Sequence, residues 1–127
     1  MDTVMIRSGK VVSLLGKPIT SSQGTITGYN GVTTTATGDA HYKDSPYSTF
    51  QATVTGTGAV TATVVVDCSN DGTNWCSTVL GTITLSGTTS SADGFTTTAP
   101  WKYIRARVTA ISGTGATVVC LMGDYQR

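Results

Sequence analysis

Alternating β-branched and small side chains, interrupted at intervals by glycine, run through most of this chain and leave it little to build except paired strands. Thr supplies about a fifth of the residues, there is no Glu, and all seven acidic residues are Asp. β-Branched side chains fit a pleated surface and lose rotamer freedom in a helix. From Thr49 the pattern is regular. Phe50, Ala52 and Val54 alternate with Gln51, Thr53 and Thr55; beyond Gly56-Thr57-Gly58, Val60, Ala62, Val64 and Val66 alternate with Thr61 and Thr63. Residues 69–74 form a turn signal, because Asp71-Gly72 accepts the positive φ that hairpin turns need. Short strands follow at 75–80 and 82–85, a loop at 87–94 and another short strand at 95–98. Residues 101–111 are the longest alternating run, with Ile104, Ala106 and Val108 on one face and Tyr103, Arg105 and Arg107 on the other. Ser112-Gly113-Thr114-Gly115 turns the chain into residues 116–122. That last strand is apolar on both faces and belongs at the centre of a sheet or under a partner.

Seven or eight strands at this spacing predict an all-β fold: an antiparallel β-sandwich, jelly-roll or Ig-like, over residues 48–127. Its inner face is expected to hold Phe50, Ala52, Val54, Val64, Val66, Ile104, Ala106, Val108, Val118 and Cys120. Residues 1–47 differ. Two short apolar runs, 4–6 and 11–15, are split by Ser8-Gly9-Lys10. Thr, Ser and Gly then follow without sustained alternation, and residues 39–46 read as a polar loop. This third of the chain is an extended N-terminal arm with short strands.

At 127 residues and 13.1 kDa the chain is large enough for one core. Charged residues make up only 12%, and the net charge is +1, so the scattered cations do not supply the basic patch that nucleic acid requires. No run approaches the roughly 18 apolar residues of a membrane span, and 11–15 is too short for a signal-peptide core. Synthesis and retention in the cytosol of the producing cell are expected. Low charge combined with strong β-propensity makes bare sheet edges an aggregation hazard, so the edges should be covered in an assembly.

Candidate chemistry is sparse. His41 is the single histidine, expected exposed in the polar loop with nothing to orient it against a thiol. The acids sit mostly in turns and offer no glycosidase-like pair. Gly16-Lys17 and Gly56-Thr57-Gly58 each lack glycines that a nucleotide loop needs. No enzyme activity and no cofactor are expected. Asp67, Ser69, Asp71 and Gly72 match the first half of a calcium loop, but Thr78 stands where a bidentate Glu should close the shell, so they read as a turn. Cys68, Cys76 and Cys120 read as reduced structural thiols, although Cys68 and Cys76 flank the turn and could face each other. Arg105 and Arg107 share a face and are expected to reach an acid or Thr across the strands. Trp75 and Trp101 read as edge packing, with at least one largely buried.

Four segments carry a family resemblance: 49–54, Ser69-Asn70-Asp71-Gly72-Thr73-Asn74-Trp75, 100–108 and 113–118. A Ser-x-Asp-Gly-x-x-Trp turn, followed by a Trp-x-Tyr-x-Arg strand and a Gly-rich hairpin, resembles small virion structural proteins of tailed bacteriophages, over about residues 47–123. The resemblance implies a non-enzymatic capsid decoration (cement) protein on the capsid exterior. Its partners would be the major capsid protein or other virion proteins and further copies of itself, a homotrimer being favoured. The arm would then anchor it through Val4, Ile6, Val11 and Leu14. Alternatives are a head-fibre or tail-associated protein, or a carbohydrate-binding adhesin module stacking sugars on Trp75, Trp101 and Tyr103.

Overall fold

The computed structural model describes residues 10–15, 20–22, 25–27, 31–43 and 45–125; these are all-β, without a helix, and paired antiparallel throughout. Among them the strands are β1 (Lys10–Leu15), β2 (Thr20–Ser22), β3 (Thr25–Thr27), β4 (Ala36–Thr37), β5 (His41–Tyr42), β6 (Tyr47–Ser69), β7 (Gly81–Thr97) and β8 (Tyr103–Tyr125). β2 and β3 pair with each other. The other six form one sheet in the order β1-β8-β6-β7, with β4 and β5 also on β8.

In place of seven or eight short strands after Thr49, three long ones carry the fold: β6 and β8 of 23 residues each and β7 of 17. The expected turn at 112–115, the interruption at Gly56-Thr57-Gly58 and the expected loop at 87–94 all lie inside these strands. They are bends. Pairing slips there, between Thr55 and Ala59 against β7 and between Thr55 and Thr61 against β8. Glycine is required at the crossing: a Cβ on Gly113, which has φ +127°, would lie 2.7 Å from the Ala59 carbonyl oxygen. Residues 75–80, expected as a strand, instead join β6 to β7.

The bends double the sheet over. β7 ends opposite Ser48, at the start of β6, and β8 begins opposite Ser69, at its end. The link 98–102 between them reaches about 20 Å at full stretch, whereas a straight strand as long as β6 would run about 75 Å. The two ends of β6 must therefore lie close together. Gly81 and Phe95, at opposite ends of β7, confirm it: a Cβ on Gly81 would run into the Phe95 ring.

Both halves of the doubled sheet feed one core. Every residue expected on the inner face is buried in it, joined by Val60, Ala62, Ile83, Leu85, Ala116 and Met122. Phe50 stacks on Phe95 with ring centroids 5.0 Å apart. Glycine- and Thr-rich bends read as turns because the same residues serve both; only the register distinguishes them.

The arm runs along β8 from its C-terminal to its N-terminal end. Lys10 pairs with Asp124 and Leu15 with Cys120, Val32 bridges Val118, Ala36 pairs with Val108 and His41 with Ile104. The doubly apolar end of β8 is thus covered by its own chain. A bulge between Ser13 and Leu15 breaks the alternation of β1 and turns both Leu14 and Leu15 into the core.

Candidate functional site

The densest chemistry lies on the outer face of the β6–β8 seam. Asp67 stands directly opposite Arg105, and Arg107 is its diagonal neighbour, the geometry in which cross-strand side chains meet. The Asp67 side chain is buried, yet both its oxygens are held. Arg107 donates from Nε to Oδ2 (2.9 Å) and from Nη2 to Oδ1 (3.0 Å), and Arg105 Nε donates to Oδ2 (2.9 Å). Arg105 also lies over the Trp75 ring, 4.4 Å from its centroid. Desolvation pushes the Asp67 carboxyl up, but the two guanidinium groups outweigh it and hold the carboxyl below its ordinary value. The same bond raises Arg107. The expected cross-strand role of the two arginines is the one they play.

Beside this seam, residues 69–76 form a self-contained loop. Ser69 Oγ accepts from the N–H of Asp71 (3.1 Å) and of Gly72 (3.0 Å) and donates to the Asn74 carbonyl (2.7 Å). Asp71 Oδ1 accepts from the N–H of Thr73 (2.9 Å) and Asn74 (2.8 Å), and Oδ2 from Asn74 Nδ2 (2.9 Å). These bonds hold the Asp71 carboxyl far below the usual range. Asp67 and Asp71, the two acids of the half calcium motif, are thus already spent on protein donors. Among the described residues no three His, Cys, Asp or Glu side chains gather where they could hold a metal ion.

The aromatic residues do not form a free platform. Trp75 carries Arg105 on one face, and Tyr103 meets Tyr42 edge-on, centroids 5.6 Å apart, and packs under Gly72. Trp75 and Trp101 are both half-buried, so the expectation that one is largely buried fails. Each borders the 69–76 loop or its cavity, not the core. Among the described residues Tyr42, at 52% exposure, is the exposed aromatic. His41 is in β5, half-buried and paired with Ile104, not in a loop. Cys68 pairs with the same Ile104 from the other side. Two strand spacings, about 10 Å, therefore separate the backbones that carry thiol and imidazole.

Of the expected anchor residues, Leu14 is buried in the core of its own chain and Val11 is half-buried opposite Gly123. Val4 and Ile6 lie outside the described residues. The cysteines are free thiols, Cys68 and Cys120 buried and Cys76 half-buried. Burial pushes Cys68 up to about 11, helped by the neighbouring Cys76 thiol, and pushes Cys120 up to about 12.

One cluster escaped sequence reasoning. Lys43, in the supposed polar loop, is buried and donates from Nζ to the carbonyls of Ser45 and Ala99, both at 2.7 Å. Its own N–H donates to the Lys102 carbonyl (2.7 Å). Asp124 lies near, accepting from Ser48 Oγ at 3.1 Å. Desolvation lowers the lysine, and the charge of Asp124 partly restores it. The cluster ties the end of the arm to the link 98–102. Its only signal in the sequence is a lysine in a charge-poor chain.

No family model, no curated protein and no solved structure matches the chain.

Proposed function

We propose that this chain is a non-enzymatic structural protein of a phage virion, a decoration protein that binds the capsid exterior and bridges capsid subunits, with the doubled sheet as its β-sandwich body. The observation that carries the reading is the unequal treatment of the two sheet edges. The arm closes the edge at β8, while no described residue pairs along the outer edge of β7. Within β7 the one charged residue is Asp93, and there is no Lys and no Pro. Soluble monomers blunt such edges with charge, Pro or bulges. Apart from its bend and Asp93, the edge of β7 carries no such device, and it suits strand addition, in which main-chain bonds give affinity and alternate side chains give register.

In this reading the capsid partner adds a strand to β7, and residues 1–9, with Val4 and Ile6, supply a second, apolar hold. Several copies, in a homotrimer at a local threefold axis, would convert two weak contacts into a firm one by avidity. The test is co-sedimentation with expanded capsids of the whole chain, of a chain lacking residues 1–9, and of a Thr82→Lys/Thr84→Lys chain. The reading expects the whole chain to bind and both variants to bind more weakly. Unchanged binding by the lysine variant removes β7 as the contact. Location of the intact protein in tails or fibres removes the decoration role and leaves the structural class.

A further inference from the structure

We propose that Cys68 and Cys76 form an oxidisable dithiol site, which takes a small-molecule disulfide such as oxidised glutathione and closes to an intramolecular disulfide across the 69–75 loop. The inference is independent of the virion reading and concerns the folded chain alone.

Three features converge on this pair. The first is proximity. The Cys76 N–H donates to the Cys68 carbonyl at 3.0 Å, and the Cys68 thiol faces the Thr78 carbonyl, 3.9 Å away, in the same 76–80 segment. A bond of that length keeps the two Cα atoms within about 7 Å of each other, the limit of the span a disulfide bridges. The second is preorganisation. The loop between them is already fixed by the Ser69 and Asp71 hydrogen bonds, so closing the bridge demands little further ordering. The third is access. Both cysteines line a solvent-open cavity of about 480 Å³, with Thr78, Leu80 and Trp101 on its wall. Cys120, buried in the core cluster, is shut off from that cavity and serves as an internal control.

Exposure sets the order of events. Cys76, the half-exposed thiol, loses its proton to solvent and attacks one sulfur of oxidised glutathione. A mixed disulfide forms on Cys76 and one glutathione leaves as the thiolate. Cys68 then gives up its proton to that thiolate or to water and attacks the Cys76 sulfur, and the second glutathione departs. Two protein thiols and one oxidised glutathione become one protein disulfide and two reduced glutathiones. Thiol–disulfide exchange of this kind needs no other reactant. In a reducing cytosol the pair stays open, and transfer to an oxidising medium closes it.

The experiment incubates the purified folded chain with oxidised glutathione or with dithiothreitol, alkylates one portion in denaturant for intact mass, and follows thermal unfolding of the other. The expected product has lost two hydrogens, carries one alkylated thiol where the reduced chain carries three, and yields a Cys68–Cys76 linked peptide. Its Tm is expected to rise by about 5 °C. Cys76→Ser, at a half-exposed position, should fold and should show neither the bridge nor the Tm rise. Three alkylated thiols after oxidation would overturn the proposal. So would a chain that stops at a stable glutathione adduct on Cys76, or one that links either cysteine to Cys120 or to a second chain.

Discussion

The edges at β8 and β7 are finished by opposite means. Along β8 the chain lays its own arm in separate pieces, from Lys10 opposite Asp124 to Tyr42 opposite Tyr103, with a bulge that sinks Leu14 and Leu15 into the core. The seam behind that edge is also locked by charge, through Asp67 and its two arginines. Along β7 nothing described is laid. Its seam with β6 rests on the backbone ladder, buried Ile83 and Leu85, and the Phe50–Phe95 stack. The short separate strands of the arm therefore close one edge, and the long bent strand β7 leaves the other open. Each short piece fits one neighbour in one register, whereas the 81–86 stretch of β7, which alternates, accepts any strand that alternates with it.

The largest effect should come from breaking the covered edge. Leu14→Ala removes a core side chain that the bulge places there and is expected to cost about 3 kcal/mol. Val11→Ala, at a half-buried position on the same strand, should cost under about 1 kcal/mol. Denaturant unfolding followed by tryptophan fluorescence measures both. Equal midpoints for Leu14→Ala and the parent chain would mean that β1 does not belong to the core, and the contrast between the edges would collapse.

The seam behind the covered edge comes next. Asp67→Asn weakens three charge-assisted bonds at once and should cost about 2 kcal/mol, less than a fully buried pair because both guanidinium groups are partly exposed. The acid limb of stability tests the same group. The folded carboxyl titrates below its ordinary value, so its contribution is present above the unfolded value of about 4 and is lost as pH falls through the folded one. Asp71 is depressed in the same direction. Removing Asp67 alone should flatten the fall in stability below about pH 4 without abolishing it. An unchanged acid limb would show that the seam's charge lock contributes nothing.

Legibility followed regularity too. The inner face from Phe50 to Cys120 could be read because alternation and burial share one period. The pairing of Arg105 and Arg107 with an acid across the strands could be anticipated from their shared face, although not that Asp67 would take both. What could not be read depends on register. Residues 112–115 look like a turn because Gly and Thr serve a bend and a turn alike. Leu14 looked like a free apolar anchor because a bulge leaves no mark in composition. Lys43 stands in a run that reads as a polar loop, because its carbonyl partners, Ser45 and Ala99, are main-chain atoms that no side-chain pattern announces. Trp75 and Trp101 depend on register as well: Trp75 lies under Arg105 from β8, and Trp101 lines the cavity beside Cys68 and Cys76.

A smaller effect, of opposite sign, is expected at the bend of β7. Thr89 has φ +65°, a left-handed conformation that is costly for a β-branched residue and that Asn tolerates. Thr89→Asn should raise stability by about 1 kcal/mol. A loss of stability instead would mean that the Thr89 hydroxyl, which donates to the Thr88 carbonyl, matters more than the backbone strain.

The smallest effect on folding should accompany the clearest effect on association. Thr84 is exposed, on the outward side of β7 between buried Ile83 and Leu85. Thr84→Lys leaves the core untouched and places a charge on the open edge, so unfolding free energy should move by less than about 0.5 kcal/mol. Strand addition to that edge, by another copy or by a capsid segment, must then accommodate the lysine, which natural edges use to prevent such pairing. Concentration-dependent sedimentation should show less self-association than the parent chain, with the two unfolding curves superimposed. A lysine chain that associates as before, while an equivalent charge on the β8 side changes assembly, would reverse the comparison and make the arm-covered edge the working surface.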